Sequence, residues 1–300
     1  MIKKAIVPAA GYGTRMLPAT LAYPKVMLPL LTKPIILYVV EELINADITE
    51  ILIIKGWKGH IMENFFREKP VKMINWLVER GKKELAEKLM MGIIPSHVKI
   101  SFKEQKILNG LGGAILLGEE FIEDEDFVVP LGDNIIIEDN AGSLLRDMIR
   151  VHQKLKSAVT LCVAPVPKHL IPKFGIIGYR KILDINGIRV YEVSEVVEKP
   201  PIDKAPSNLS IVGRYIMSPI TFEYLKKAPL IKGEISETDA FQEMINDGLK
   251  VYAVDIGNRR WYDVGIVEGY VKAVLDLILT KAPDGEKIQT WLEEFLSQKT

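Results

Sequence analysis

Apolar runs of four to eight residues alternate along the chain with longer stretches in which apolar positions return every three or four residues. The runs at 5–8, 51–55, 97–103, 126–134 and 158–165 read as strands. ILIIK at 51–55 is continuously apolar, as a central parallel strand covered on both faces should be. Ile35, Ile36, Val39, Val40, Leu43 and Ile44 recur at helical spacing with Glu41, Glu42 and Asn45 opposite, and Pro34 suits the first helical position. A second helix is expected over 143–156. Residues 58–92 carry helical patterning rich in Lys and Glu, which predicts two solvated helices separated near Pro70. Strand, loop, helix and strand in this order predict a doubly wound, mostly parallel α/β sheet of Rossmann-like type.

From residue 174 the pattern changes to short alternating runs around Asn186-Gly187, a hairpin signal. A strand at 208–217 follows, and together these predict a small antiparallel extension closing the far side of a pocket. Helices are expected near 219–227 and 236–247, a strand at 250–256, and a long helix at 266–281 ended by Pro283. An amphipathic helix at 286–298 reads as an oligomer arm. The expected organisation is a domain over 1–282, with halves 1–165 and 166–265, and a helical tail at 283–300.

The stretch Ala5–Pro29, AIVPAAGYGTRMLPATLAYPKVMLP, carries the first candidate chemistry. It places a glycine pair after the first strand, at the carboxyl end where open α/β sheets keep their ligands. Gly11 and Gly13 permit close approach, so the amides from Ala10 to Thr14 can turn around an anion such as a phosphate chain. Pro18, Pro24 and Pro29 deny the segment regular helix and predict an extended loop carrying Arg15 and Lys25, the latter an exposed loop lysine. A dinucleotide fingerprint would need a third glycine where Met16 stands, and a P-loop would need Gly-Lys-Ser/Thr. Neither motif is present.

Thirty-nine basic and thirty-nine acidic residues cancel, so the surface as a whole gives no footprint for nucleic acid or an anionic membrane. Any anion must be held locally. One cysteine, Cys162, excludes an internal disulfide and fits a reducing, cytoplasmic setting, and no run reaches the length of a membrane span. Asp133 ends an apolar strand, where a carboxylate can ligate a divalent cation bridging phosphates; a turn or cap aspartate is the plainer reading of an isolated Gly-Asp. Asp263, ahead of a helix, reads as a cap or a second ligand. Glu198-Lys199-Pro200 ends a strand; a salt-bridged surface pair is the default reading of Glu-Lys, and in a pocket for a phosphorylated sugar the carboxylate would accept from hydroxyls while the ammonium meets the phosphate.

The Gly-x-Gly-Thr-Arg loop followed by Pro-Lys and Leu-Pro resembles the signature of sugar-phosphate nucleotidyltransferases. Within them PAAGYGTRMLPAT is similar to the bacterial-type UTP:glucose-1-phosphate uridylyltransferases. The resemblance implies a Mg²⁺-dependent transfer of a nucleotidyl group from UTP to glucose 1-phosphate in a homo-oligomer, dimer or tetramer. It implies a nucleotide-binding set of Ala9, Ala10, Gly11, Gly13, Thr14, Gln105 and Gly110, with Gln105 reading the pyrimidine ahead of a glycine turn at 110–114. For the sugar phosphate it implies Gly175, Glu198, Lys199 and Gly213, and for the metal Asp133 and Asp263. Arg15, Lys25, Asp133 and Lys199 would carry catalysis.

The chain departs from that pattern at three places. Val26 stands where Lys-Glu-Met-Leu-Pro has its glutamate, so a polar contact to the nucleoside is expected to be missing. Gly113 replaces the histidine of Gly-Leu-Gly-His-Ala, and Gly-Glu-Ile-Ser-Glu-Thr-Asp at 233–239 replaces Gly-Glu-Ile-Gln-Leu-Thr-Asp. These leave open a thymidylyltransferase or another sugar-1-phosphate nucleotidyltransferase, and a regulatory subunit that binds a nucleotide sugar without catalysis. A dinucleotide-dependent oxidoreductase is disfavoured by Met16 and by Lys55, which stands where an acidic residue would be required.

Overall fold

The computed structural model describes residues 2–298. Its centre is a nine-stranded sheet. The strands in chain order are β1 (Lys4–Ala9), β2 (Glu50–Lys55), β3 (Lys99–Glu104), β4 (Phe127–Pro130), β6 (Val159–Pro165), β7 (Gly175–Ile185), β8 (Ile188–Glu198), β9 (Leu209–Met217) and β10 (Val251–Asp255). In space the order is β3-β2-β1-β4-β9-β6-β10-β8-β7. β3, β2, β1 and β4 are parallel neighbours, as are β6 and β10. The remaining ladders of this sheet are antiparallel, with β9 between β4 and β6. The hairpin at Asn186-Gly187 forms as expected, both residues at positive φ, and it extends the main sheet through β8 and β10.

Pleating divides the apolar residues between two layers. Ala5 and Val7 of β1 pack with Ile36, Val40 and Leu43 of helix α1 (Ile35–Asn45) on one face, in the cluster that also holds Leu144 and Met148 of α6 (Ser143–Leu155). Ile6 packs on the other with Ala114 and Ile115 of α5 (Gly110–Leu116) and Phe222 of α7 (Ile220–Lys227). Because β2 follows β1 on one side while β4 lies on the other, the strand order reverses between β1 and β4. This is the switch point at which a crevice opens beyond the strand ends.

Several local expectations are corrected. The segment 58–92 holds three helices, α2 (Gly59–Arg67), α3 (Val71–Glu79) and α4 (Lys83–Met91). The missed break is Gly81, whose positive φ lets the amides of Gly81 and Lys82 bond back to Val78 and Leu77, a helix-terminating arrangement. Gly110, Gly112 and Gly113 open α5 after β3, so the expected strand-to-helix turn is the helix's own first turn. The proline-rich loop forms single 3₁₀ turns at Thr14–Met16, Ala19–Leu21 and Lys25–Met27 instead of staying extended. Pro18 and Pro24 immediately precede the second and third of these turns, a position a proline tolerates. A further strand, β5 (Asn134–Ile137), starts directly after Asp133 and pairs antiparallel with β11 (Arg260–Asp263).

One buried ion pair ties these layers together. The Arg214 side chain on β9 has no exposed surface, and its Nε and Nη2 donate to the Glu42 carboxylate of α1 at 2.9 and 2.6 Å. Nη2 also reaches the Asn134 carbonyl at 2.9 Å and Nη1 that of Gly213 at 3.0 Å. Glu42→Ala leaves this guanidinium buried without its counter-charge, and the expected loss is about 3–5 kcal/mol. A urea midpoint that does not move would show that the pair contributes no stability.

Candidate active site

The crevice at the switch point is a cavity of about 550 Å³. Its wall includes every catalytic, nucleotide, sugar-phosphate and metal candidate named from the sequence: Ala9, Ala10, Gly11, Gly13, Thr14, Arg15 and Lys25 from the first loop, Gln105 and Gly110 beside α5, and Asp133 after β4. Gly175, Glu198, Lys199 and Gly213 line its far side, and Asp263 closes the set. More than 250 residues of sequence separate Ala9 from Asp263.

In the first loop Gly13 is the glycine that the backbone requires, with φ of 67°. A Cβ there would also come within 2.9 Å of the side chains of Lys25 and Thr20, so the loop folds tightly over Lys25. At Gly11 a Cβ would meet only ordinary contacts, which leaves that position open toward the cavity. The Lys25 ammonium is bonded to the Asp133 carboxylate, and its side chain is 18% exposed. It is therefore a largely covered residue in an ion pair, a correction to the exposed lysine expected from the proline-rich loop.

Pairing of β5 with β11 sets Asp263 opposite Asn134 and so brings it next to Asp133. Gly265 fills the space between: a Cβ on it would lie 3.0 Å from Asp263 Oδ1 and closer still to Asp133 Oδ2. Burial works against ionisation of Asp133, but the charges of Lys25 and Arg15 outweigh it and hold the carboxyl below its ordinary range. Asp263 goes the other way, raised by burial and by the neighbouring Asp133 charge, although Arg15 Nη1 lies 3.6 Å from its Oδ2. Two carboxylates forced together in this way call for cationic charge. Among the described residues no group of three or more His, Cys, Asp or Glu is arranged to hold a metal. The pair suits Mg²⁺, a cation that takes one or two carboxylates and fills its remaining positions with phosphate oxygens and water.

Several wall residues were not singled out as site candidates from the sequence. Asn134 accepts from the Trp261 indole at 2.6 Å and approaches Asp133 Oδ1 at 3.4 Å, so it links β11 to the acidic pair. Trp261 stacks edge-on against Phe174 with centroids 5.3 Å apart. Tyr215, Thr238 and Glu237 line the side nearest Glu198. The polar residue in an otherwise apolar helical repeat was the one available signal for Glu237.

The departures from the family pattern have structural explanations. Val26 is fully buried in the core and does not line the cavity, so no polar contact to a ligand is lost there. That removes the feature on which a non-catalytic reading rested. Gly113 makes room for Asn109, whose side chain occupies the position of a Cβ at 113. Asn109 Oδ1 in turn accepts from Gln105 Nε2 at 3.0 Å, and the Gly110 carbonyl accepts from the same nitrogen at 3.2 Å. With its amide nitrogen bound inward, Gln105 keeps its oxygen as the group to present to a base.

Glu237, the first residue of α8 (Glu237–Asn246), is raised to about 7 by burial and by the charge of Glu198. The folded protein therefore retains this proton over a range in which the unfolded chain, near 4.5, has lost it. Stability must then fall as pH rises from 4.5 to about 7. Glu237→Gln is expected to raise the thermal midpoint above that window and to leave it unchanged below. An equal shift at both ends would mean that ionisation of Glu237 is not the cause.

A switch-point crevice with a glycine loop, lysines on both sides and an acidic pair defines a protein that handles phosphorylated substrates. The chain belongs to the nucleotidyl transferase family, whose model matches residues 4–279. It is 38% identical over 299 residues to the UTP–glucose-1-phosphate uridylyltransferase of Bacillus subtilis, covering 99% of this chain and 98% of that protein. The enzyme of the same name from Staphylococcus haemolyticus is 40% identical over 295 residues, covering 98% of each. Among solved structures, the UTP-bound UGPase from Acinetobacter baumannii superposes with a TM-score of 0.87 at 32% identity, covering 98% of this chain and 99% of that one. A UDP-glucose pyrophosphorylase complexed with UDP-glucose gives 0.79 at 36% identity, covering 91% and 97%.

Proposed function

We propose that this chain transfers the uridylyl group of UTP to glucose 1-phosphate, giving UDP-glucose and pyrophosphate. The observation that carries this reading is that the glycine loop with Arg15 and Lys25, the pair Asp133 and Asp263, and Glu198-Lys199 all line one crevice. Relatives named for this activity, and solved neighbours holding UTP or UDP-glucose, support the choice of substrates.

A phosphate oxygen of the sugar phosphate attacks the α-phosphorus in line. The new P–O bond forms as the bond from the α-phosphorus to the bridging oxygen breaks, and that electron pair leaves with pyrophosphate. The nucleophile is already anionic, so no general base is needed. The chief requirement is to hold two polyanions in register, which supplies about 7–11 kcal/mol. Loop amides from Ala10 to Thr14 and the Arg15 guanidinium hold the triphosphate, with Ala9 and Gly110 shaping the nucleotide end. Lys25 and Lys199 offset repulsion between the reactants and charge growing on the leaving group. Gln105 Oε1 accepts from the N3–H of uracil, a hydrogen that cytosine lacks. Gly175 and Gly213 allow the sugar to approach the backbone, and Glu198 accepts from its hydroxyls. Mg²⁺, held by Asp133 and Asp263, would act as a Lewis acid on the phosphates.

On this reading 1–165 forms the nucleotide half and 166–265 the sugar half of a domain over 1–282, with 283–300 as a tail. A cytoplasmic setting suits the buried free thiol of Cys162, and assembly as a dimer or tetramer is checked by light scattering. Among the described residues no helix is long and apolar enough to cross a membrane.

The test is pyrophosphate release from UTP, dTTP, CTP, ATP and GTP, each paired with glucose, galactose and N-acetylglucosamine 1-phosphates. UTP with glucose 1-phosphate is expected to give the highest kcat/KM. A preference for dTTP would make the chain a thymidylyltransferase, and no release from any pair would overturn the reading.

A further inference from the structure

At the sugar end of the crevice the chain carries a second carboxyl group where the related pattern has a leucine. Glu237 stands in Gly-Glu-Ile-Ser-Glu-Thr-Asp, and its side chain lines the same wall as Glu198, Tyr215 and Thr238. Tyr215 donates to Glu237 Oε1 at 3.4 Å. The Glu198 carboxylate is divided: Oε1 accepts from Lys199 at 2.6 Å, while Oε2 faces Gly175, 3.2 Å from where a Cβ would stand. Thr238, the neighbour of Glu237, lies 3.2 Å from that same point. Gly175 thus separates Glu198 from the first turn of α8 by less than the space a methyl group needs.

The geometry points to a paired-carboxyl subsite, Glu198 with Glu237, that extends the sugar range of this enzyme to hexose 1-phosphates bearing a free ring amine. The inference rests on the uridylyl transfer proposed above. In that reaction Lys199 is directed to the sugar phosphate, which leaves Glu198 and Glu237 on one wall of the crevice without the cation that bonds Glu198 here. A neutral hydroxyl supplies one donor and no charge to such a pair. An ammonium supplies three donors and the missing positive charge. A leucine at 237 could do neither. The charged and titratable groups facing Glu237 are Glu198 and Lys199 at the end of β8 and Tyr215 on β9, and of these only Lys199 is cationic at neutral pH.

The experiment measures kcat/KM for glucosamine 1-phosphate and glucose 1-phosphate with saturating UTP in the wild type, Glu237→Gln and Glu237→Leu. N-acetylglucosamine 1-phosphate serves as the uncharged control at the same ring position. The wild type is expected to turn over glucosamine 1-phosphate. In both variants the glucosamine-to-glucose ratio is expected to fall about tenfold or more, while the KM for UTP and the ratio for the N-acetyl sugar stay level. Raising the pH through about 7 should increase the wild-type ratio and leave that of Glu237→Gln flat. A purely structural role would lower kcat/KM for every sugar alike and keep the ratio. An unchanged ratio in both variants, or no wild-type turnover of glucosamine 1-phosphate beside normal turnover of glucose 1-phosphate, overturns the inference. Absence of pyrophosphate with every sugar phosphate would instead defeat the uridylyl-transfer reading itself.

Discussion

Asp133→Asn is expected to lower turnover by about two to three orders of magnitude, the usual loss when one preorganised charge is removed from a transition state. The substitution keeps the side-chain shape and its place beside Asn134, but it removes the stronger of the two acids in the crevice. Asp133 is held below the ordinary carboxyl range by Lys25 and Arg15 against the opposing effect of burial, so it is ionised throughout the neutral range. In the variant Asp263 is the one carboxylate left of the pair, so a cation there loses one of its two anionic protein ligands. The dependence of rate on Mg²⁺ concentration should therefore flatten together with the loss of turnover. Pyrophosphate release across a Mg²⁺ titration checks both, and normal metal-dependent turnover in the variant would place the metal elsewhere.

Lys25→Ala should lower turnover by a similar factor of about 10²–10³, and it should also destabilise the protein. Its side chain is 18% exposed and that of Asp133 13%, so the deletion strands a covered carboxylate beside Asp263. Removing one member of a buried pair costs about 3–5 kcal/mol, and these groups, partly open to solvent, belong at the low end of that range. Asp133 should respond by titrating at higher pH, because the strongest of its stabilising cations is gone. The stability deficit of Lys25→Ala should accordingly shrink in acid, where protonation relieves the stranded charge. Lys25→Met separates the two functions of the side chain. It keeps the hydrocarbon that packs under Gly13 and is expected to lose activity as Lys25→Ala does. Full activity in Lys25→Met would remove the ammonium from the mechanism.

Much of the site could be read from the first loop and from strand ends. Gly13, Arg15, Lys25 and Asp133 lie where short apolar runs stop, and in an open α/β sheet those stops converge on one edge. What escaped the reading depends on partners remote in sequence. The strand β5 follows Asp133 with only Asn134–Ile137, too short to be separated by pattern from the run before it. It exists because Arg260–Asp263 pairs with it. Glu237 stands at the start of a helix where nothing in its immediate neighbours marks it as a pocket residue, yet the fold sets it on the crevice wall within reach of Tyr215.

The sequence by itself determined most of the order of strands and helices, the hairpin at Asn186-Gly187 and the glycine loop that follows the first strand. Each of these depends on local backbone preference and on the period of apolar residues, which neighbouring positions encode. Only the tertiary structure decided that Val26 is core, that Gly113 and Asn109 together orient Gln105, and that Asp133 and Asp263 form a like-charged pair governed by Lys25 and Arg15. These outcomes are set by distance and burial between segments far apart in the chain. The energy of a charge or a methyl group depends on what surrounds it, and no local pattern specifies those surroundings.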